Sequence, residues 1–253
     1  MLVFLVTTQI LLVSAGIVFG MVLWLPMDEG SGDTVYDYSG EGNNGTIYGA
    51  SWVDGKYGKA LSFDGTNDYM TLPNTGLDLT GDMTVYFEMN GIHAHNHMIL
   101  IRANAPENNG FWIQEKNTKT IKAYWVNAAE GLKEVVGKNN IITDGAWQQI
   151  TIVKSGTAGK IYVDGVDQTL SSDALINPVS QNVLTYIGCE LGTGSFLTAA
   201  LDEVRIYNRA LTAEEVWELY NYNPLAHDYG NIGFYMGILA VVIGLMAYLR
   251  SRH

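Results

Sequence analysis

Hydrophobic residues collect in long blocks at both ends of the chain and in short alternating runs between them. Leu2 to Phe19 and Ile232 to Leu249 are almost wholly apolar and uncharged. Each block is 18 residues long, and a helix of that length reaches roughly 27 Å, close to a bilayer core. The middle reads differently. MTVYFEM, MILIRA, GFWIQE, TIKAYWVN, QQITIV and KIYVDG are rich in β-branched and aromatic residues and are separated by Gly, Asn and Asp clusters. That pattern predicts strands joined by tight turns. Along IKAYWVN, Ile121, Ala123 and Trp125 share one face while Lys122, Tyr124 and Val126 share the other, so one sheet face is partly wet. Asp54-Gly55, Asp64-Gly65, Asp144-Gly145 and Asp164-Gly165 suit turns that need positive φ. One soluble helix is predicted, Thr212 to Tyr220, with Thr212 as cap and Glu215 three residues on. The fold class expected is all-β, two antiparallel sheets packed as a sandwich, with helices only at the ends.

The terminal blocks give the organisation. Residues 1–19 read as a signal peptide or an N-terminal membrane anchor: Val13-Ser14-Ala15 suits signal peptidase, but no Lys or Arg precedes the apolar run. Residues 20–222 form the β-domain, 223–231 a tether, 232–249 a transmembrane helix, and 250–253 a basic tail. Arg250 and Arg252 place that tail in the cytoplasm, and the domain then lies outside the cell or on a virion surface. Gly16/Gly20 and Gly233/Gly237 have the G-x-x-x-G spacing that lets membrane helices approach closely, although Gly20 also sits where the first strand should begin.

Charge narrows the partners. All 26 acidic residues lie between Asp28 and Asp228, where only 12 of the 14 basic residues fall, so this region is about 14 charges negative. Such a field repels phosphate backbones, which excludes nucleic acid as a partner. Cys189 is the single cysteine, so no internal disulfide can form, and a buried apolar thiol is its expected state.

LDEVRIYNRALTAEEV (Leu201 to Val216), LSFDGTNDYM (Leu61 to Met70), VLWLPMDEGSG from Val22, DYSGEGNNGTIYG from Asp37, WQQITIVK from Trp147 and KIYVDG from Lys160 occur together, in this family's order. The chain resembles the laminin-G-like members of the concanavalin A-like jelly-roll superfamily over about Met21 to Asn221. The resemblance implies a jelly-roll sandwich and a binding module, in a superfamily of lectins, adhesion domains and some glycosidases. It also implies that first and last strands are neighbours, with a structural calcium held there by an aspartate of the last strand. Asp202 is that aspartate and Asp28 a plausible co-ligand, with loop oxygens from Glu29 to Gly32 and Asn43 to Gly45. Strand parity agrees with a special role: Asp202 alternates with Val204 and Ile206, so if those point into the core, Asp202 does too. The alternative is an Asp that caps local backbone or pairs with Arg205 or Arg209.

Other chemistry is thinner. His93, His95 and His97 would share a face on a strand and could hold zinc or copper, but they lie where a loop is expected. The Glu-x-Asp-x-x-Glu pattern of related glycosidases is missing, since no Glu-x-Asp occurs anywhere in the chain. No catalysis is expected. A pyranose ring stacks on Trp or Tyr while its hydroxyls need amides and carboxylates, and Trp112, Tyr124, Trp52 and Tyr186 are the candidate ligand contacts. The loop Arg102 to Gly110 adds polar groups beside Trp112, and Asn44-Gly45-Thr46 is a glycosylation sequon in a tight loop. The expected partners are an extracellular glycan or glycoprotein and the lipid bilayer, with self-association left open. The alternative function is a structural or assembly protein of a viral or cell envelope that binds no sugar.

Overall fold

The strongest alternating segments form the centre of each sheet in the computed structural model, which describes residues 18–73, 77, 79–92, 95–104, 109–179 and 183–222. In chain order the strands are β1 (Met21–Leu25), β2 (Thr34–Val35), β3 (Gly45–Tyr48), β4 (Ser51–Asp54), β5 (Lys59–Asp64), β6 (Tyr69–Leu72), β7 (Met83–Gly91), β8 (His97–Ala103) and β9 (Gly110–Lys116). They continue with β10 (Thr120–Asn127), β11 (Gly131–Gly137), β12 (Gln148–Ser155), β13 (Ala158–Val163), β14 (Val166–Asp167), β15 (Thr169–Ser172), β16 (Thr185–Ile187) and β17 (Thr198–Tyr207). One helix, α1 (Ala213–Asn221), follows β17. Residues 1–17 of the N-terminal apolar segment, the tether and the whole C-terminal apolar segment fall outside the described residues. Among those described, no helix is long and apolar enough to cross a membrane.

Two antiparallel sheets result. The first runs β14-β13-β12-β7-β17-β5-β4, with β1 also paired to β17. The second runs β15-β11-β10-β9-β8-β16-β6-β3-β2. Between them lies one core that includes Leu23, Leu25, Phe63, Val85, Phe87, Ile113, Trp125, Ile150, Ile152, Leu201, Val204 and Ile206. The alternation read along β10 holds, because Ile121, Ala123 and Trp125 belong to this core while Tyr124 and Val126 pack in a separate cluster.

The last strand departs from simple alternation. Residues 198–201 of β17 pair with β5 and residues 204–207 with β1, and the register to β7 slips between Asp202 and Arg205. Glu203 takes a positive φ of 55° in this bulge. An extra residue inverts parity. Leu201 and Val204 both enter the core, and Asp202, opposite Glu88, turns to the outer face of the sheet. The expectation that Asp202 shares a face with Val204 and Ile206 is therefore corrected, because the bulge lies between them.

Helix α1 begins as its sequence predicts. Thr212 Oγ1 accepts from the Glu215 backbone N–H at 3.2 Å, and the Glu215 carboxylate accepts from the Thr212 backbone N–H at 2.9 Å. Val216 and Leu219 are buried against Met21, Trp24, Tyr86 and Tyr207. The helix thus covers the outer face of the first sheet beside the β17 bulge.

Candidate functional site

The outer face of the first sheet holds a buried polar cluster. Glu88, Asp202 and Glu203 are all about 1% exposed or less. Lys56 Nζ donates to Glu88 Oε2 at 2.9 Å, and the Tyr86 hydroxyl donates to Glu88 Oε1 at 2.9 Å. Glu203 Oε2 accepts from Trp24 Nε1 at 2.8 Å and from the Arg205 guanidinium at 2.6 Å. That guanidinium lies 5.0–5.2 Å from the ring centres of Trp24, Tyr86 and Tyr222. Each of these two buried glutamates therefore has its own cation.

Asp202 has none. Its Oδ2 accepts from the Tyr57 backbone N–H at 3.0 Å, while its buried Oδ1 makes no hydrogen bond. Burial, reinforced by Glu203, Asp28 and Glu88, pushes its carboxyl up to about 8 despite the Tyr57 hydrogen bond. Asp28 Oδ1 accepts from the Lys59 N–H at 2.7 Å. The two aspartates thus bind the Tyr57 and Lys59 N–H groups, two residues apart at the β4–β5 turn. Glycine is required at this turn, since a Cβ on Gly55 would lie 2.7 Å from Asp202 Oδ2 and one on Gly58 2.0 Å from Asp28 Oδ1.

Calcium takes six to eight oxygens. Here Asp28 Oδ1 and Asp202 Oδ2 already serve N–H donors while Asp202 Oδ1 is unbonded, and Lys56 and Arg205 stand beside the neighbouring carboxylates. Among the described residues no group of three or more His, Cys, Asp or Glu could hold a metal ion. Of the histidine run, His93 lies outside the described residues. His95 is exposed, and His97 is buried on β8 with Nδ1 3.8 Å from Glu115 Oε2. Cys189 is buried, as expected, and burial raises its thiol to about 11.

The aromatic candidates divide. Tyr186, Ile101, Trp112 and Tyr124 stand opposite one another on β16, β8, β9 and β10, all on the outer face of the second sheet. Tyr186 also faces Thr71, which shares the parity of Tyr69, and Tyr69 stands opposite Tyr48. Trp112 and Tyr124 stack at 5.2 Å, and Tyr48 and Tyr69 at 4.6 Å. Trp112 points away from the core as its parity predicts, yet it is only 7% exposed and Tyr124 only 8%. They pack with Met98, Ile101, Ala103 and Val126 as a second small core, which corrects the expectation of an open Trp112. Tyr186 is half-buried, and Tyr48, which the sequence reading omitted, is 45% exposed. Its signal was weak because GTIY is a four-residue strand in a Gly-rich stretch. Trp52 belongs to the other sheet, where it packs at the core margin and donates from Nε1 to the Gly32 carbonyl at 3.0 Å.

Two antiparallel sheets around one core, with an aromatic row on an outer face, define a jelly-roll-type sandwich. The chain belongs to the concanavalin A-like lectin/glucanases superfamily, because a laminin G-type domain model so described matches residues 64–217, more than half of its length. Solved structures share the fold. The binding domain of Paraclostridial Mosquitocidal Protein 1 superposes with a TM-score of 0.66 at 18% identity, over 81% of this chain and 52% of that one. The binding domain of botulinum neurotoxin serotype G gives 0.64 at 16% identity, over 79% and 50%. The receptor binding domain of botulinum neurotoxin D gives 0.64 at 13% identity, over 81% and 53%. This chain thus spans about half the length of these structures. No curated protein matches it.

Proposed function

We propose that this protein is a membrane-anchored binding module that recognises a glycan or glycoprotein outside the cell, without catalysis. The observation that carries this reading is the aromatic row on the outer face of the second sheet. Tyr48 and Tyr186 offer ring surface to solvent, while the buried Trp112–Tyr124 pair fixes the sheet beneath. Sugars bind through such rings because their C–H faces desolvate well against them. The superfamily and the similarity to toxin domains named for binding support the same reading. The apolar run Ile232 to Leu249 and the basic residues after it support an anchor with the domain outside. At the β17 bulge the geometry supports a proton on Asp202 in place of calcium.

A glycan array probed with the full chain and with Tyr48→Ala and Tyr186→Ala tests recognition. Both variants should fold as the parent and lose most array binding. A parent that binds no glycan overturns the reading.

A further inference from the structure

A cleft of about 520 Å³ opens between the β11–β12 connection and the β13–β14 hairpin. Its volume lies within the roughly 300–1,000 Å³ typical of small-molecule sites. The back wall is fixed. Gln148 Oε1 accepts from the Thr143 N–H at 2.6 Å, and its Nε2 donates to the Ile141 carbonyl at 3.3 Å and to Asp164 Oδ2 at 3.2 Å. Asp164 Oδ1 accepts from the Gln149 N–H at 3.0 Å. Part of the floor is apolar, with Val163 buried beneath and Val166 51% exposed.

The rim has a different character. Lys138, Asn139, Asn140 and Gln168 line the same cleft, and none of their side chains makes a hydrogen bond or ion pair among the described residues. Their main chain is nevertheless held: the Lys138 N–H donates to the Gln168 carbonyl at 2.8 Å and the Asn140 N–H to the Thr118 carbonyl at 3.1 Å. Three uncommitted amides and one ammonium therefore stand on a fixed backbone around a partly apolar floor.

The geometry points to this cleft as a second carbohydrate site, for a neutral hexose oligosaccharide. An amide offers a donor and an acceptor side by side, which matches two adjacent hydroxyls of one sugar ring. The apolar floor suits the C–H face of the ring. Charge suits a neutral ligand, because the one carboxylate of the lining, Asp164, is balanced by its one ammonium, Lys138. The site is separate from the aromatic row. Four strand steps part β11 from Tyr186 on β16, roughly 19 Å at the usual strand spacing. Only the ligand class rests on the glycan reading above.

Isothermal titration of the full chain with maltotriose, cellotriose and mannotriose tests the site, with 3′-sialyllactose as the anionic comparison. The double variant Asn139→Ala/Gln168→Ala should keep the parent melting temperature and weaken binding of the preferred neutral trisaccharide by about tenfold or more. Tyr36→Ala, at a 53% exposed residue of neither site, should leave that binding unchanged. The cleft is overturned if the double variant binds as the parent does, or if sialyllactose is preferred. It is also overturned if no trisaccharide binds; Tyr186-dependent signals on the glycan array then leave the first reading standing. An empty array as well overturns both.

Discussion

Asp202 and Glu88 stand directly opposite each other on β17 and β7, on the sheet face turned away from the core, and only Glu88 has a cation. Asp202 alternates outward from Ala199 and Leu201 in the core, and the bulge at Glu203 then returns Val204 to the core face. Lys56 neutralises one carboxylate. The other is left to burial and a single backbone N–H.

Asp202 should therefore make stability depend on pH. Its carboxyl is raised from 3.8 to about 8 in the folded protein. The folded state holds the proton more tightly, so the stabilisation is complete below about pH 4 and is lost as pH rises through about 8. At roughly 1.4 kcal/mol per unit, the whole window is worth several kcal/mol. The burial-raised carboxyls of Glu88 and Glu203 act in the same direction. Asp202→Asn keeps an acceptor for the Tyr57 N–H without the charge. It should melt near the parent at pH 5 and above it at pH 9; equal pH profiles for the two proteins would place the titration elsewhere.

With a proton on Asp202 in place of a cation, and with Asp202 Oδ2 and Asp28 Oδ1 serving backbone donors, chelation should leave the melting temperature at neutral pH unchanged. A drop in EDTA that calcium restores, and that Asp202→Asn abolishes, would instead show a cation at the bulge. The size of such a drop is set by ligand concentration over its dissociation constant.

Trp112 is buried on the outer face of the second sheet. Trp112→Ala should destabilise by about 3–5 kcal/mol, as large-to-small changes at buried aromatics do. Tyr48→Ala, at a 45% exposed position, should change stability by less than about 1 kcal/mol. Urea denaturation of the two variants compares them directly; a Trp112→Ala protein as stable as the parent would show that the ring is not packed.

The buried Glu203–Arg205 pair should be asymmetric to mutation. Arg205→Leu leaves Glu203 buried without its cation and should destabilise by about 3–5 kcal/mol. Glu203→Gln together with Arg205→Leu removes both charges and should recover part of that loss. A double variant no more stable than Arg205→Leu alone would mean that the guanidinium acts through its three aromatic neighbours.

Helix α1 depends on its cap. Thr212→Ala removes the acceptor for the Glu215 N–H and should destabilise by about 1 kcal/mol. Hydrogen exchange should then quicken at the first turn of α1 before the sheets respond; unchanged protection there would show that packing of Val216 and Leu219 holds the helix alone.

The sequence by itself determined the class of fold, the position of nearly every long strand and the start of α1. Period-two patterning in MTVYFEM, TIKAYWVN and QQITIV is a local property, fixed by which neighbours must face the core. The Thr212–Glu215 cap is likewise complete within four residues. It also determined that Trp112 points away from the core, because Phe111 and Ile113 take the inner face. Only the tertiary structure decided where Asp202 points, since the bulge arises where β17 exchanges β5 for β1 and no residue of LDEVRIY marks that exchange. Exposure was hidden for the same reason. Parity assigns Trp112 a face, but whether that face is wet depends on Tyr124 and Ile101 from other strands. The cleft at Asn139 and Gln168 belongs to this second kind too, because its two sides are brought together only when β11 and β15 pair.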